Sequence, residues 1–438
     1  MAARRIVHVP FCYFPEAVGG TEVYVRDLAR EQQKRGHRVM ILAPADKRAA
    51  YLHDFIPVVR YAVPNQITDV SDLYTARNTD VEHFISEISQ FSADVVHVHG
   101  VGRALAPLAL ERLHELGMRA VLTYHTPTTT CVRGTLLHLG THPCDGALDA
   151  HRCTACTLTS HGVPAGVATM LARAPAAAGT MLRAVGARGR VVTALRMREL
   201  VSTRHDQTRR ILGLADHVVA PAEWVVRLLI ILGVPEQKIT LSRQGVRKTT
   251  TAHKRTTSEK LRLIYVGRLE PMKGIHLLMR ALKMMPAAAI ELHVYGVVQN
   301  DAHQAFRREL QRDFERDRRV VVHEPVGADD VVDAIAQYDV LVAPSQQLET
   351  GPLVVLEAFA AGIPVVGSKL GGIAELVEHN VNGLLVDDAR AESWANALKA
   401  LVADRALLMR LAANVRAPRS MATVAEEMDV VYTKALQA

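Results

Sequence analysis

The sequence predicts an α/β protein made of two doubly wound domains in tandem, facing each other across a cleft. Three observations predict it. Short β-rich runs alternate with amphipathic helical stretches, the pattern of parallel sheets covered by helices. The alternation pauses over the polar stretch Lys248–Lys260 and restarts at Leu261. The chain has 438 residues, 49% hydrophobic and 22% charged, enough for two domains that each bury a core.

In the first half, Val7–Val9 reads as a strand, and a loop follows it to Gly19-Gly20. A helix starts at about Thr21, sets Val25, Leu28 and Ala29 on one face, and stops near Gly36. The later strands are Val39–Leu42, Val95–Val98, Val121–Tyr124, Val218–Ala220 and Ile239–Leu241. Residues 163–210 break the pattern. There Met170, Leu171, Met181, Leu182, Leu195 and Leu200 can line apolar helical faces, with Arg183, Arg188, Arg190, Arg196 and Arg198 opposite. Pro164, Gly179, Gly186 and Gly189 interrupt any long helix. Two readings stand: helices packed on the first domain, or a basic amphipathic surface resting on anionic lipid. The stretch Lys248–Lys260 is rich in Lys, Arg, Thr and Ser and reads as a linker. Beyond it come strands Leu261–Val266, Leu292–Tyr295, Val320–Val322, Val340–Ala343, Pro364–Val366 and Leu384–Val386. The boundary is therefore set at 1–250 and 251–438, with a cysteine-rich insertion at about 126–210. The last helix is read as able to pack back on the first domain.

Lys and Arg number 52 against 45 Asp and Glu, a net charge of +7 that favours anionic ligands. Aromatics are only 5%, and no basic run is interleaved with them, so a nucleic-acid surface is not expected. Met1–Val9 lacks a long apolar run, and no window approaches 18 uncharged apolar residues. Neither a secretory signal nor a transmembrane helix is expected. The expected location is cytoplasmic, with the inner face of the membrane as the lipid-bound variant, and the five cysteines are expected to be reduced.

The most specific segment is Val266-Gly267-Arg268-Leu269-Glu270-Pro271-Met272-Lys273-Gly274, between a strand and a helix. Arg268 and Lys273, near a helix N-terminus, can neutralise a diphosphate, one as a fork and one as a point charge. Taken alone, such a loop is as often a solvated surface. A second strand-to-helix segment, Glu349-Thr350-Gly351-Pro352-Leu353-Val354-Val355-Leu356-Glu357-Ala358-Phe359, carries two carboxylates able to accept hydrogen bonds from polyols. Gly351 lets backbone approach a ligand. Alone, Glu349 could equally cap the helix and Glu357 lie on a solvated face.

Together these segments resemble the C-terminal domain of the family 4 glycosyltransferases, whose architecture is the two-Rossmann GT-B fold. Glu349 and Glu357 match that family's E-x7-E motif, and Val266–Gly274 matches its diphosphate loop. Gly371-Gly372-Ile373-Ala374-Glu375-Leu376-Val377 and Asn382-Gly383-Leu384-Leu385-Val386 match the usual continuation, and Gly19-Gly20-Thr21-Glu22 resembles its N-terminal glycine-rich loop. Thr350 departs from the family, which often has an aromatic residue there; this bears on donor choice.

The resemblance implies a retaining, metal-independent transfer of a hexose-type sugar from a nucleotide-diphosphate sugar to a carbohydrate or lipid-linked acceptor. It makes 1–250 the acceptor-side domain and 251–438 the nucleotide-sugar-binding domain. It implies that Arg268 and Lys273 hold the diphosphate, Glu357 the ribose, and Glu349 the transferred sugar. Backbone at Gly19, Gly20, Gly351, Pro352 and Leu353 approaches sugar or phosphates, and Gly296 lies near the base. A nucleotide-sugar epimerase of the same architecture, or a catalytically silent nucleotide-sugar-binding scaffold, is the alternative.

His125 ends a strand where the family often has a histidine touching sugar or acceptor; a structural role is the alternative. His97 alternates inward and reads as packing, while His99 faces the strand terminus. Cys131, Cys144, Cys153 and Cys156, the last two a C-x-x-C pair, fall in one loop-like stretch. Some family members carry a similar set. They are read as a structural zinc site, as four reduced thiols, or as a redox or disulfide set, with Cys12 a separate free thiol. No cofactor is expected for the chemistry itself.

Overall fold

The computed structural model describes residues 2–16, 19–63, 80–101, 107–247, 259–387 and 390–437. Most of the predicted linker, 248–258, lies outside them, as does the side chain of Arg183. The chain divides into two units, Met1–Arg243 with Ala425–Ala438, and Gln244–Val424.

The first unit holds β1 (Arg5–Val9), β2 (Arg38–Ala45), β3 (Ala49–His53), β4 (Ile56–Ala62), β5 (Val95–Val98), β6 (Arg119–Thr123), a small hairpin of β7 (Leu137–His138) and β8 (His142–Pro143), then β9 (His217–Ala220) and β10 (Ile239–Leu241). Eight of these form one sheet in the order β10-β9-β6-β5-β1-β2-β4-β3. Its pairings are parallel apart from the β3–β4 hairpin. Continuous apolar runs such as Val39–Ala43 suit parallel strands buried on both faces. The hairpin was not predicted. Its turn places Asp54 and Phe55 at φ 52° and 64°, the geometry usually signalled by Asn-Gly, and the signal is missing here.

The first helix, Gly20–Lys34, buries Tyr24, Val25, Leu28 and Ala29. It starts where Glu22 reaches back to accept the Gly19 N–H at 2.7 Å, satisfying a donor the helix cannot. Between β8 and β9 lie helices Ala150–Ser160, Ala165–Leu171, Ala176–Ala184 and Arg190–Leu214. The predicted two-sided amphipathicity of this stretch needs correction. Met170 and Met181 are 64% and 72% exposed, while Leu200 is buried. Arg196 is buried rather than solvent-facing, paired with Glu199 at 3.1 Å. Gly179 does not break its helix: a Cβ there would meet Arg196 and Glu199 at about 3 Å, so it permits two helices to approach closely.

The second unit holds β11 (Leu261–Arg268), β12 (Ile290–Val297), β13 (Val320–His323), β14 (Val340–Ala343), β15 (Val365–Ser368) and β16 (Gly383–Val386). They form one parallel sheet in the order β13-β12-β11-β14-β15-β16. The period of two splits its core. Leu263, Tyr265, Val340 and Val342 join one apolar cluster, while Ile264, Leu341 and Ala343 join another. The last helix, Met421–Gln437, passes from this unit into the first, where Val431, Tyr432 and Ala435 are buried.

Candidate active site

Parallel doubly wound sheets present ligands to the carboxyl ends of their strands. In the second unit that end is built by three loops. β11 ends at Arg268, and a short turn, Pro271–Lys273, leads into helix Ile275–Lys283. Gly274 joins them at φ 75°, where a Cβ would stand 1.9 Å from the Pro344 carbonyl oxygen. Only glycine fits that closeness and that backbone. The loop after β14 is thereby drawn alongside: Gln346 N–H donates to the Met272 carbonyl at 2.7 Å. Behind it, Gly372 N–H donates to the Glu349 carbonyl at 2.6 Å, so the Gly371-Gly372 turn props the glutamate loop from below.

These ties bring two of the predicted residues into direct contact. Lys273 Nζ lies 2.5 Å from Glu349 Oε1. The Ser345 hydroxyl donates to the same oxygen at 2.5 Å, and the Gln347 amide at 3.2 Å. Burial pushes the Glu349 carboxyl up, but the Lys273 charge and the three donated hydrogen bonds outweigh it, and the group is held below its usual range. Arg268 is engaged by Glu270 at 2.9 Å, and His303 Nε2 stands 3.3 Å from the other oxygen of Glu270. Sequence reasoning missed Glu270 and Ser345. Glu270, two residues past Arg268 on a tight turn, was the legible signal; Ser345 came only with the folding of the β14 loop.

Glu357 is half-buried, in the helix Leu353–Ala360, which follows Gly351 and Pro352. Gly296, near the end of β12, is buried, and a Cβ on it would meet Leu269 at 2.7 Å. The second unit thus brings two cations and the carboxylates of Glu270 and Glu349 onto loops at the carboxyl end of its sheet, with Glu357 on the helix that follows. With Lys273 on Glu349 and Arg268 on Glu270, both cations are held in place by ion pairs at this end of the sheet.

In the first unit, Gly19 caps the first helix and Gly20 is exposed at its start. The Cys12 thiol donates to Glu22 at 3.1 Å, and burial together with that carboxylate holds it protonated. His125 follows β6 and is 6% exposed; its Nε2 lies 3.0 Å from His99 Nδ1. Burial pushes its pKa down to about 3, so the ring is neutral. His8, His97 and His99 bring ring nitrogens within 4.8 Å of one another. Each of those nitrogens has a hydrogen-bond partner in the protein, so the group is satisfied without an ion.

The five cysteines are free. Cys131, Cys144 and Cys153 lie near enough that their charges oppose one another; burial first, then these neighbours, push the Cys153 thiol up to about 12. Cys156 turns to the β7–β8 hairpin, accepting from Leu139 N–H at 3.3 Å. Zn–S bonds of about 2.3 Å require sulfurs about 3.8 Å apart. Among the described residues no three cysteine sulfurs lie within 4.8 Å of one another. The donor chemistry suits zinc; the spacing as it stands does not.

Two family models match in chain order. Residues 18–161 match "Glycosyltransferase Family 4", and residues 247–417 match "Glycosyl transferases group 1". D-inositol 3-phosphate glycosyltransferases are among the relatives. That of Pseudarthrobacter chlorophenolicus is 34% identical over 164 residues, 36% of this chain and 39% of the relative. That of Rhodococcus opacus is 32% identical over 191 residues, 42% of each. The chain thus spans about two fifths of the length of the curated relatives it matches. Solved structures share the fold along its whole length. Sucrose-phosphate synthase of Thermosynechococcus elongatus has a TM-score of 0.67 at 19% identity, covering 99% of this chain and 100% of that one. Anabaena HepE, solved with UDP and glucose, has a TM-score of 0.62 at 17% identity, covering 98% and 99%. The ordered pair of matched domains, the two α/β sheets and the Lys273–Glu349 contact agree: the chain belongs to the family 4 type of GT-B glycosyltransferases.

Proposed function

We propose that this protein transfers a hexose-type sugar from a nucleotide-diphosphate sugar to a carbohydrate or lipid-linked acceptor, with retention of anomeric configuration and without a catalytic metal. The observation that carries the proposal is the Lys273–Glu349 pair, which places a diphosphate-binding cation against the carboxylate assigned to the transferred sugar. As the sugar–phosphate bond breaks, negative charge builds on the departing nucleoside diphosphate. Arg268 and Lys273 neutralise it, and the acceptor hydroxyl attacks from the same face through an oxocarbenium-like state, its proton passing to the departing diphosphate oxygen. Glu357 holds the ribose, Glu349 and the backbone from Gly351 to Leu353 orient the sugar, and neutral His125 meets sugar or acceptor.

The relatives named for D-inositol 3-phosphate and the neighbour named sucrose-phosphate synthase make phosphorylated polyols and sugars the first acceptors to test. Solved neighbours hold UDP with glucose, and UDP-glucose, which sets the first donor to test. Among the described residues no helix is long and apolar enough to cross a membrane. We place peripheral contact, if an acceptor is lipid-linked, on exposed Val167, Met170, Met181, Val185 and Val191 beside exposed Arg173, Arg188 and Arg190.

The test is a screen of nucleotide-sugars for thermal stabilisation, followed by product analysis with the stabilising donor. A bound donor must raise the melting temperature. A donor that stabilises but yields neither transfer nor hydrolysis indicates a silent scaffold, and epimerised donor indicates an epimerase; either defeats the proposal.

A further inference from the structure

Two loops of the second unit carry the charged groups of the site, and one serine joins them. Pro344 and Ser345 follow β14, while Met272 and Lys273 lie in the turn after β11. β11 and β14 are parallel neighbours, so both loops emerge at the same end of the sheet. The Gln346 N–H donates to the Met272 carbonyl at 2.7 Å and ties the two backbones. Ser345 sits inside that tie, 4% exposed. Its hydroxyl oxygen lies 2.5 Å from Glu349 Oε1 and 3.4 Å from the Met272 carbonyl.

The direction of each bond is set by groups that act one way only. An ionised carboxylate has no proton, so Glu349 accepts from every neighbour. The Lys273 ammonium has no lone pair and donates to Oε1 at 2.5 Å. A carboxylate repels an amide oxygen, so Gln347 presents its nitrogen and donates at 3.2 Å. Ser345 has one proton to give. The Met272 carbonyl already receives the Gln346 N–H and is the more distant acceptor, so that proton goes to Glu349. Three donors thus converge on one oxygen, two from the β14 loop and one from the β11 turn. Lysine is a point charge on a flexible stem, which fixes a distance but not a direction. The short, buried Ser345 side chain supplies the direction. Burial opposes a charge on Glu349, and the Lys273 charge and the donated hydrogen bonds, that of Ser345 among them, overcome it.

We propose that Ser345 is a positioning residue for the transfer, which fixes Glu349 Oε1 and, through that oxygen, aims the Lys273 ammonium at the departing diphosphate. Without the hydroxyl, Glu349 keeps its partner on the β11 turn but loses its closest tie to the β14 loop. The ion pair then survives with a looser geometry. This deepens the roles given to Lys273 and Glu349, and its kinetic consequence rests on the transferase reading. Its first readout needs no substrate, so the donor screen and this experiment fail separately.

The experiment is carboxyl-carbon NMR of the full chain labelled with 13C at the glutamate side chains, with Glu349 identified by the signal lost in Glu349→Gln. The charged and titratable groups set against Glu349 are Lys273 and the buried Tyr265, whose hydroxyl burial keeps protonated. The parent Glu349 midpoint is expected below the usual carboxylate range, and that of Ser345→Ala above the parent's. In the same variant, turnover of the donor found by screening should fall about tenfold, the cost of one hydrogen bond to a charged group. The donor KM should stay within about twofold, because the aim of Lys273 matters most as charge develops. An unmoved Glu349 midpoint in folded Ser345→Ala overturns the proposal, even if the protein melts lower. So does unchanged turnover, or a loss confined to KM. If Ser345→Ala does not fold, Ser345→Cys fills the site with a weaker donor and must raise the midpoint too. A parent that turns over no donor defeats the transferase reading, and the Glu349 midpoint still decides this one.

Discussion

Replacing Lys273 with alanine separates the chemical role of its ammonium from its structural one. Lys273 and Glu349 are 23% and 14% exposed at the side chain, so the pair is neither fully solvated nor fully dry. Truncating one partner of a fully buried ion pair costs about 3–5 kcal/mol; partial exposure and the remaining Ser345 and Gln347 donors reduce this to about 1–2 kcal/mol here. For a unit of this size that lowers its melting temperature by roughly 2–8 °C. The rate effect is larger. Losing one donor to developing negative charge costs about 100- to 1,000-fold, or about 2.7–4 kcal/mol of barrier. The assay is turnover of the preferred donor at saturation, with a melting curve on the same preparation. Turnover reduced at least about 100-fold, in protein melting only a few degrees lower, is expected. Full turnover at saturating donor would refute the reasoning, because the leaving-group charge would then be met elsewhere.

Gly274→Ala forces a Cβ to 1.9 Å from the Pro344 oxygen at φ 75°. A loss of at least about 2 kcal/mol is expected by denaturant titration, and an unchanged midpoint would contradict the described turn. Acid should weaken the first unit. His8 protonates at about 4 and His125 at about 3 in the folded chain, against 6.5 as ordinary values. The unfolded chain thus binds more protons between those limits. Stability is complete above pH 6.5 and falls as pH drops toward 4. Fluorescence of Trp224, which packs on Tyr124, follows it in a Trp394→Phe background; a flat melting temperature from pH 7.5 to 5 would contradict this. Cosedimentation with vesicles containing anionic phosphatidylglycerol should fall several-fold in Met170→Ser/Met181→Ser, and equal pelleting would remove that face from consideration. Metal analysis of the purified protein decides the cysteines: stoichiometric zinc requires the four sulfurs to close together, and its absence leaves them as thiols.

The fold and the chemistry-bearing loops were legible because their signals are local. Strand and helix periods are read over a few residues, and the spacing of Arg268 with Lys273, or Glu349 with Glu357, lies within one strand-to-helix connection. What joins those loops is not local. Lys273 meets Glu349 across 76 residues because Gly274 admits the Pro344 carbonyl, a fact of packing. The exposure of Met170 and Met181 and the burial of Arg196 likewise depend on which helix lies alongside. His97 read as core filling, since alternation reports which side a residue faces and not what waits there. Only the folded chain puts Tyr432 against it, 335 residues later, and gives a packing histidine a buried hydrogen bond. The sequence by itself determined the two sheets and singled out Arg268, Lys273, Glu349 and Glu357 as the candidate site. The tertiary structure alone decided their partners, since hydrogen bonds and ion pairs depend on distances of a few ångströms that no spacing along the chain encodes.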